Sequence, residues 1–406
     1  MRVLLVSQFY APEIGATQNR MQAFVDGLVD RGHQVSVIAE QPNHPVGVFH
    51  AGFGRRFVMT ERGPQHTIRR LWVATSPRKT TASRLAFYGT FALGAGLGVL
   101  LARRPDVVLA TSPPLPGALA AAGAARLRGV PFVLDVRDLW PAAAEALGEV
   151  SDRRAIRVLE AAERWLYRHS TAVTATTSPF CEHIDSVAGR SLSRHVPNGA
   201  LDALIGPEWP EAPAQPPFVI GYVGNLGIAQ GLGIILDAAE QLRDEPVTFA
   251  IVGGGPLGDL LASETARRGI DAVELSPPVP VHALGLTLCR CHALVVPLGS
   301  HPVLGQFIPS KLYDAMAVGR PVIVAAQGEA ADLVTEVGCG VAIAPEDGGA
   351  LADAIRQLSR DPARAAEMGR RGRAAAPGFS RGAQIDRLEH ILASAAGSRH
   401  GLTAAG

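Results

Sequence analysis

The feature that most constrains this chain is a repeated alternation of short apolar runs with amphipathic stretches, each change marked by glycine or proline. Runs such as Val3 to Ser7, Gln34 to Ala39, Val107 to Thr111, Phe132 to Val136 and Ala172 to Ala175 have the length and bulk of strands buried on both faces. Between them lie helical spacings: Met21, Phe24, Val25, Leu28 and Val29 within Asn19 to Asp30, then segments around 117–128 and 153–168. Strands that alternate with helices cannot close as hairpins, so they predict a parallel sheet with helices on both sides.

The alternation stops once. Pro207, Pro210, Pro213, Pro216 and Pro217 crowd a stretch that continues neither a helix nor a central strand, so residues 197–217 are expected to link two domains. It then resumes with strands Val219 to Val223, Val247 to Val252, Ala293 to Val296, Pro321 to Ala325 and Val341 to Ile343, and helices Leu232 to Leu242 and Asp259 to Arg268. The expected fold class is α/β, with two doubly wound Rossmann-like domains at 1–196 and 218–380 facing a cleft. A C-terminal segment, 381–406, has helical spacing at Ile385, Leu388, Ile391 and Leu392, is expected to pack back on the first domain, and ends in a small-residue tail.

Charge removes some functions. Thirty-eight basic against 37 acidic side chains leave no global positive field, so nucleic acid is not an expected partner and any phosphate must be held locally. Four cysteines, unevenly spaced, give no disulfide framework. Cys289, Cys291 and His292 lack a second ligand pair and read as a buried helix end, so no metal is expected. Met1 leads directly into a strand pattern without a leader-like apolar region, which suggests a cytoplasmic protein. Leu85 to Ala102 runs eighteen residues without a charge and follows a stretch, Arg55 to Arg84, in which seven arginines and Lys79 face Glu61 alone. That pairing fits either a buried helix behind a solvated basic loop or peripheral contact with an anionic membrane face.

Chemistry concentrates in the second half. Gly221-Tyr-Val-Gly-Asn-Leu-Gly-Ile-Ala-Gln-Gly231 and Ala250-Ile-Val-Gly-Gly-Gly-Pro256 each end a strand in glycines, where backbone amides can approach a phosphate. The spacing is not that of the dinucleotide fingerprint. Pro277-Pro-Val-Pro280 could offer backbone groups to a base. In Gln306-Phe-Ile-Pro-Ser-Lys-Leu-Tyr-Asp-Ala-Met-Ala-Val-Gly-Arg-Pro-Val-Ile323, Pro309 and Ser310 open a helix and Gly319 closes it. Lys311, one of two lysines in the chain, adds charge to that helix start, and Asp314 follows three residues later.

These runs, together with Ser7 to Gly15, Gln41 to Gly47, Thr111 to Pro114 and Asp135-Val-Arg-Asp-Leu-Trp-Pro141, resemble the retaining GT-B glycosyltransferases of the family-four group, in the branch that builds bacterial cell-surface polysaccharide with mannosyl- and fucosamine-type transfer. The resemblance spans about residues 1 to 395. It implies an acceptor-binding first domain and a nucleotide-sugar-binding second domain, with a UDP-sugar as substrate and no cofactor.

On the donor side it implies Gly224, Asn225, Gln230, Gly231, Gly254, Val279, Gln306, Ser310, Lys311 and Leu312, with Asp314 on the ribose and Gly15 approaching from the first domain. It implies Arg137, Asp138 and Lys311 for catalysis, and Glu13, Asn43 and His44 for a lipid-linked or small-molecule acceptor. Asn225 and Gln230 stand where many members carry arginine and lysine, and Gln306 stands at the first of two usual glutamates. Lys311 is therefore expected to hold most of the diphosphate charge. Nucleotide-sugar epimerisation and a binding-only, degenerate transferase are the competing readings.

Overall fold

The predicted βα alternation builds two separate sheets in the computed structural model, which describes the chain except Ile14, Pro45, Lys79, Ala143, Ala144, residues 146–151 and residues 404–406, and except the side chains of residues 398–403. Lys79, part of the basic stretch, thus lies outside the described residues, as does the very end of the tail. The chain divides into one unit of Met1–Pro197 with Ile385–Gly406, and a second of Asn198–Gln384.

The first unit threads β1 (Arg2–Val6), α1 (Ala16–Asp30), β2 (Gln34–Glu40), β3 (Val58–Arg62), β4 (His66–Leu71), α2 (Thr81–Leu101), β5 (Val107–Ser112), α3 (Leu115–Leu127), β6 (Phe132–Val136), α4 (Arg153–His169), β7 (Ala172–Ala175), α5 (Ser178–Ala188) and β8 (Ser193–His195). Its sheet order is β3-β4-β2-β1-β5-β6-β7-β8. Val3 pairs in parallel with both Val35 and Val107, so the winding reverses between β1 and β5. At such a reversal the loops beyond the strand ends part and leave a crevice. Met21, Phe24, Val25 and Leu28 of α1 pack on Val3, Leu5 and Val37 together with Ile385, Leu388 and Leu392 from the C-terminal helix. Each fully buried aliphatic side chain of this kind contributes roughly 1.5–3 kcal/mol.

One sequence expectation needs correction here. The basic stretch before α2 is not a loop: β3 and β4 form an antiparallel pair, and Arg70, only 3% exposed, forks onto the Glu61 carboxylate at 2.7 and 3.2 Å. The short edge strand β8 carries too few residues to show a pattern.

The second unit threads β9 (Phe218–Val223), α6 (Gly233–Gln241), β10 (Val247–Val252), α7 (Gly258–Arg268), β11 (Val273–Ser276), α8 (Val281–Cys289), β12 (Ala293–Pro297), α9 (Ser310–Ala317), β13 (Val322–Ala325), α10 (Glu329–Val337), β14 (Gly340–Ile343), α11 (Gly348–Arg360) and α12 (Pro362–Ala375), and the last helix, α13 (Arg381–Thr403), starts in it. The order β11-β10-β9-β12-β13-β14 is wholly parallel, with its reversal between β9 and β12. Successive residues of β13 enter opposite cores, Ile323 and Ala325 on one face and Val322 and Val324 on the other.

Residues 197–217 begin at the boundary between the two units. Beyond Pro197 they run along the second unit as a strap: Trp209 Nε1 donates to Leu204 O at 2.9 Å, the buried Arg320 guanidinium donates to Pro210 O at 2.6 Å, and His292 Nε2 meets Pro213 O at 2.7 Å. Proline lacks an N–H but keeps its carbonyl, and these carbonyls satisfy polar groups at the base of the sheet. Both His292 nitrogens face backbone, since Nδ1 accepts from Val219 N at 2.9 Å. Among the described residues no three His, Cys, Asp or Glu side chains come close enough to hold a metal.

Candidate functional site

In the second unit, the glycine-rich turns after β9 and β10 are laced together by backbone. Gly224 N donates to Val252 O at 2.9 Å, Leu226 N to Gly254 O at 3.0 Å, and Leu257 N to Leu226 O at 3.0 Å. The two turns touch so closely that a Cβ on Gly253 would stand 1.9 Å from Gly224 O. Gly253→Ala must push these turns apart. It is expected to weaken nucleoside diphosphate binding at least about tenfold, measured by calorimetry.

Lys311, at the second position of α9, reaches back to this edge. Its Nζ donates to Tyr222 Oη at 2.7 Å and to Gln230 Oε1 at 2.6 Å. Tyr222 Oη in turn donates to Asn225 O at 2.5 Å. No carboxylate balances the ammonium in this set, and burial lowers the Lys311 pKa to about 7. Burial raises the Tyr222 phenol well above its ordinary value. A half-buried lysine at a helix start beside glycine amides lacks a counter-ion, which an anionic ligand would supply.

The remaining donor-side residues fall into two groups. Gly231, in the left-handed region at φ 58°, closes the turn after Gln230 against the end of β12, where Gly299 N donates to Ala229 O at 2.9 Å. A Cβ on Gly254 would sit 3.1 Å from the Pro278 ring, so Gly254 borders the half-buried Val279 turn. Asn225 and Ser310 are exposed, and Gln306 is half-buried at the end of the turn Pro302–Gln306.

Leu312 and Asp314 are different. Leu312 is 0% exposed and belongs to the core, where an apolar side chain on the inner side of α9 must go. Asp314, expected at a ribose, accepts the backbone N–H of Leu201 on Oδ1 at 3.1 Å, and burial raises its pKa to about 6. Its partner is the chain entering the unit, a contact invisible in a linear motif.

In the first unit the expected acceptor residues form a buried polar frame at the ends of β1 and β2. Glu13 Oε1 accepts the amides of Asn43 at 2.6 Å and His44 at 2.7 Å. Asn43 Nδ2 donates to Glu40 Oε1 at 2.9 Å, and Thr75 Oγ1 donates to Asn43 Oδ1 at 2.9 Å. Asn43 and one oxygen of Glu13 are therefore engaged within the protein, while Glu13 Oε2 is buried without a partner among the described residues and His44 is exposed with its ring 5.7 Å from that of Phe9. Gly15 immediately precedes α1.

Sequence reasoning missed Glu40 and Gln8 in this frame, although an acid ending the apolar run of β2 was a signal. Burial raises the Glu40 carboxyl well above 4.5, against the hydrogen bonds from Gln8 and Asn43. When protonated the acid has a proton to place, and Gln8 Oε1, buried without a partner, can accept it once that amide is turned over. A carboxyl whose folded pKa is raised loses stability as pH climbs above its unfolded value. Wild-type stability should thus fall as pH rises from 4.5, and Glu40→Gln should flatten that slope in denaturant titrations across pH.

Arg137 and Asp138 were expected beside the reacting carbon. Arg137 staples the unit: its side chain donates to Thr111 Oγ1 at 2.8 Å, to Thr17 Oγ1 and to Pro113 O, and its backbone N to Ser112 O at 2.9 Å. Three of its five side-chain N–H donors are engaged there, so it braces the crevice loops and keeps two donors. Asp138, half-buried, shows no side-chain hydrogen bond among the described residues, and burial raises its pKa against the pull of Arg137.

Comparison with known proteins agrees with this division. Residues 15–199 match the family "Glycosyl transferase 4-like domain" and residues 217–361 match "Glycosyl transferases group 1". WcaI of Escherichia coli (strain K12), named as a colanic acid biosynthesis glycosyl transferase, is 28% identical over 88% of this chain and 92% of its own length. A glycogen synthase of Mycobacterium tuberculosis is 28% identical over 92% and 89%. Among solved structures, Anabaena Alr3699/HepE in complex with UDP shares the fold at TM-score 0.69 and 17% identity, covering 97% of this chain and 100% of that one. The chain therefore carries, in order, a glycosyl transferase 4-like domain and a glycosyl transferases group 1 domain, the two Rossmann-like halves of a GT-B glycosyltransferase.

Proposed function

We propose that the chain moves a sugar from a nucleotide-sugar, first of all a UDP-sugar, to a lipid-linked acceptor of polysaccharide assembly, with retention at the anomeric carbon and without a divalent ion. The observation that carries the donor reading is Lys311 at the start of α9, within hydrogen-bond reach of Tyr222 and Gln230 and beside the laced glycine turns. The sugar–diphosphate bond breaks, the acceptor oxygen bonds the same carbon from the same side, and the acceptor proton passes to the departing diphosphate. Lys311 and the α9 amides stabilise the charge that develops there. WcaI, named for colanic acid biosynthesis, supports a polysaccharide setting, and the UDP held by HepE supports the choice of nucleotide.

The test is nucleotide release in the presence of a chelator, from a panel of UDP-, GDP- and dTDP-sugars, with polyprenyl-diphosphate-linked and soluble sugar acceptors. Release that requires both donor and lipid-linked acceptor, with a product whose anomeric NMR coupling matches the donor, is expected. Donor conversion without any acceptor would turn the reading to epimerisation, and binding without conversion to a sensor.

A further inference from the structure

Helix α2 presents a side that no contact in its own unit explains. It connects β4 to β5, two strands of one sheet, and buries only Phe91, Ala95 and Val99. On the sheet side a Cβ on Gly94 would stand 2.9 Å from the Leu71 side chain and one on Gly98 2.8 Å from that of Ile38, so the glycines make room for both. On the other side Leu85, Leu93, Leu97 and Leu101 are 70%, 73%, 58% and 78% exposed. Leu93, Leu97 and Leu101, four residues apart, fall within about 80° of one another on one side of the helix, and Leu85 lies nearer its edge. The outward side of a helix in a water-soluble domain normally bears charge, and here none occurs from Leu85 to Ala102.

Charge appears at both ends of this stripe, and it is all positive. Arg84 precedes it and Arg103 and Arg104 follow it, all exposed. Arg128 Nη1 donates to Val99 O at 2.6 Å and brings the end of α3, with exposed Arg126 and Leu127, beside the end of α2. Across residues 41–105 ten basic residues meet a single acid, Glu61, which already binds Arg70. Although α2 is long and apolar enough to cross a membrane, both its ends feed strands of the same sheet and its inner side packs on that sheet. Crossing would tear out the crossover, whereas lying flat costs the fold nothing.

We propose that α2 docks flat on an anionic phospholipid surface, with Leu93, Leu97 and Leu101 among the acyl chains and Arg84, Arg103 and Arg104 on lipid phosphates. Every residue involved lies in the first unit, so the proposal does not rest on the donor reading.

The test is co-sedimentation of the full chain with vesicles of phosphatidylcholine alone or mixed with phosphatidylglycerol. Binding to the mixed vesicles only, weakened by salt, is expected, with a loss of roughly tenfold or more in Leu93→Glu/Leu97→Glu. Leu97→Trp should show a blue-shifted emission on the mixed vesicles. Should the double variant misfold, Arg103→Glu/Arg104→Glu and the tryptophan emission test the same contact. Absence of wild-type binding, undiminished binding of the glutamate or arginine variants, or an unshifted tryptophan would overturn the proposal. So would a wild-type dimer that the leucine changes disperse, which would assign the stripe to a second copy of the chain.

Discussion

Lys311→Ala is expected to lower kcat/KM for the nucleotide-sugar by roughly 10²–10³-fold while the protein keeps its thermal midpoint. The loss follows from removing the one ammonium that meets the glycine turns through Tyr222 and Gln230. The fold should survive because burial opposes the charged lysine, as its pKa of about 7 records. Lys311→Arg should not restore activity, since a planar fork cannot take the place of a point donor between Tyr222 Oη and Gln230 Oε1. Steady-state kinetics with melting curves for both variants check this, and retained activity in Lys311→Ala would remove the lysine from the donor site.

The second large effect lies in the first unit. Arg20 of α1 forks onto Asp135 at the end of β6, with Nη2–Oδ1 at 2.8 Å and Nε–Oδ2 at 3.1 Å. Asp135 is 0% exposed and also accepts Thr174 Oγ1 at 2.7 Å, while Arg20 donates to Val196 O and Pro197 O. Arg20→Met leaves a carboxylate in the core without its cation, a change of about 3–5 kcal/mol. For a unit of this size that corresponds to a drop of roughly 10 °C in its melting transition. Adding Asp135→Leu to Arg20→Met should recover much of the loss, because two apolar side chains need no pairing. Calorimetry of the two variants decides it, and an additive double loss would contradict the account.

The order of strands and helices was legible because strands buried on both faces are dominated by apolar residues, as in the runs Val107 to Ala110 and Phe132 to Leu134. The β3–β4 hairpin was not, because its inward cation, Arg70, finds its acid on the neighbouring strand and the sequence shows only an excess of arginine. The same limit governs the site. Glycines that end strands and a lysine that opens a helix lie where local geometry puts them, so Lys311 and Gln230 do meet. The contacts of Asp314, Asn43 and Arg137 depend on partners distant in sequence, at Leu201, Thr75 and Thr17. Nothing in the strand run Val219 to Val223 marks the Tyr222 hydroxyl, which joins Lys311 to the Asn225 carbonyl.

The central claim is that the Lys311 edge of the second unit holds the diphosphate of a nucleotide-sugar, and proton-linked calorimetry addresses it most directly. Free Lys311 is largely neutral at pH 8, above its pKa of about 7, and a bound diphosphate favours the ammonium. Titrating UDP into the protein at pH 8, in buffers of different ionisation enthalpy, should therefore show proton uptake, with affinity that falls as pH rises further. Lys311→Ala should bind more weakly and take up fewer protons. Equal affinity and equal proton uptake in wild type and variant would contradict the account.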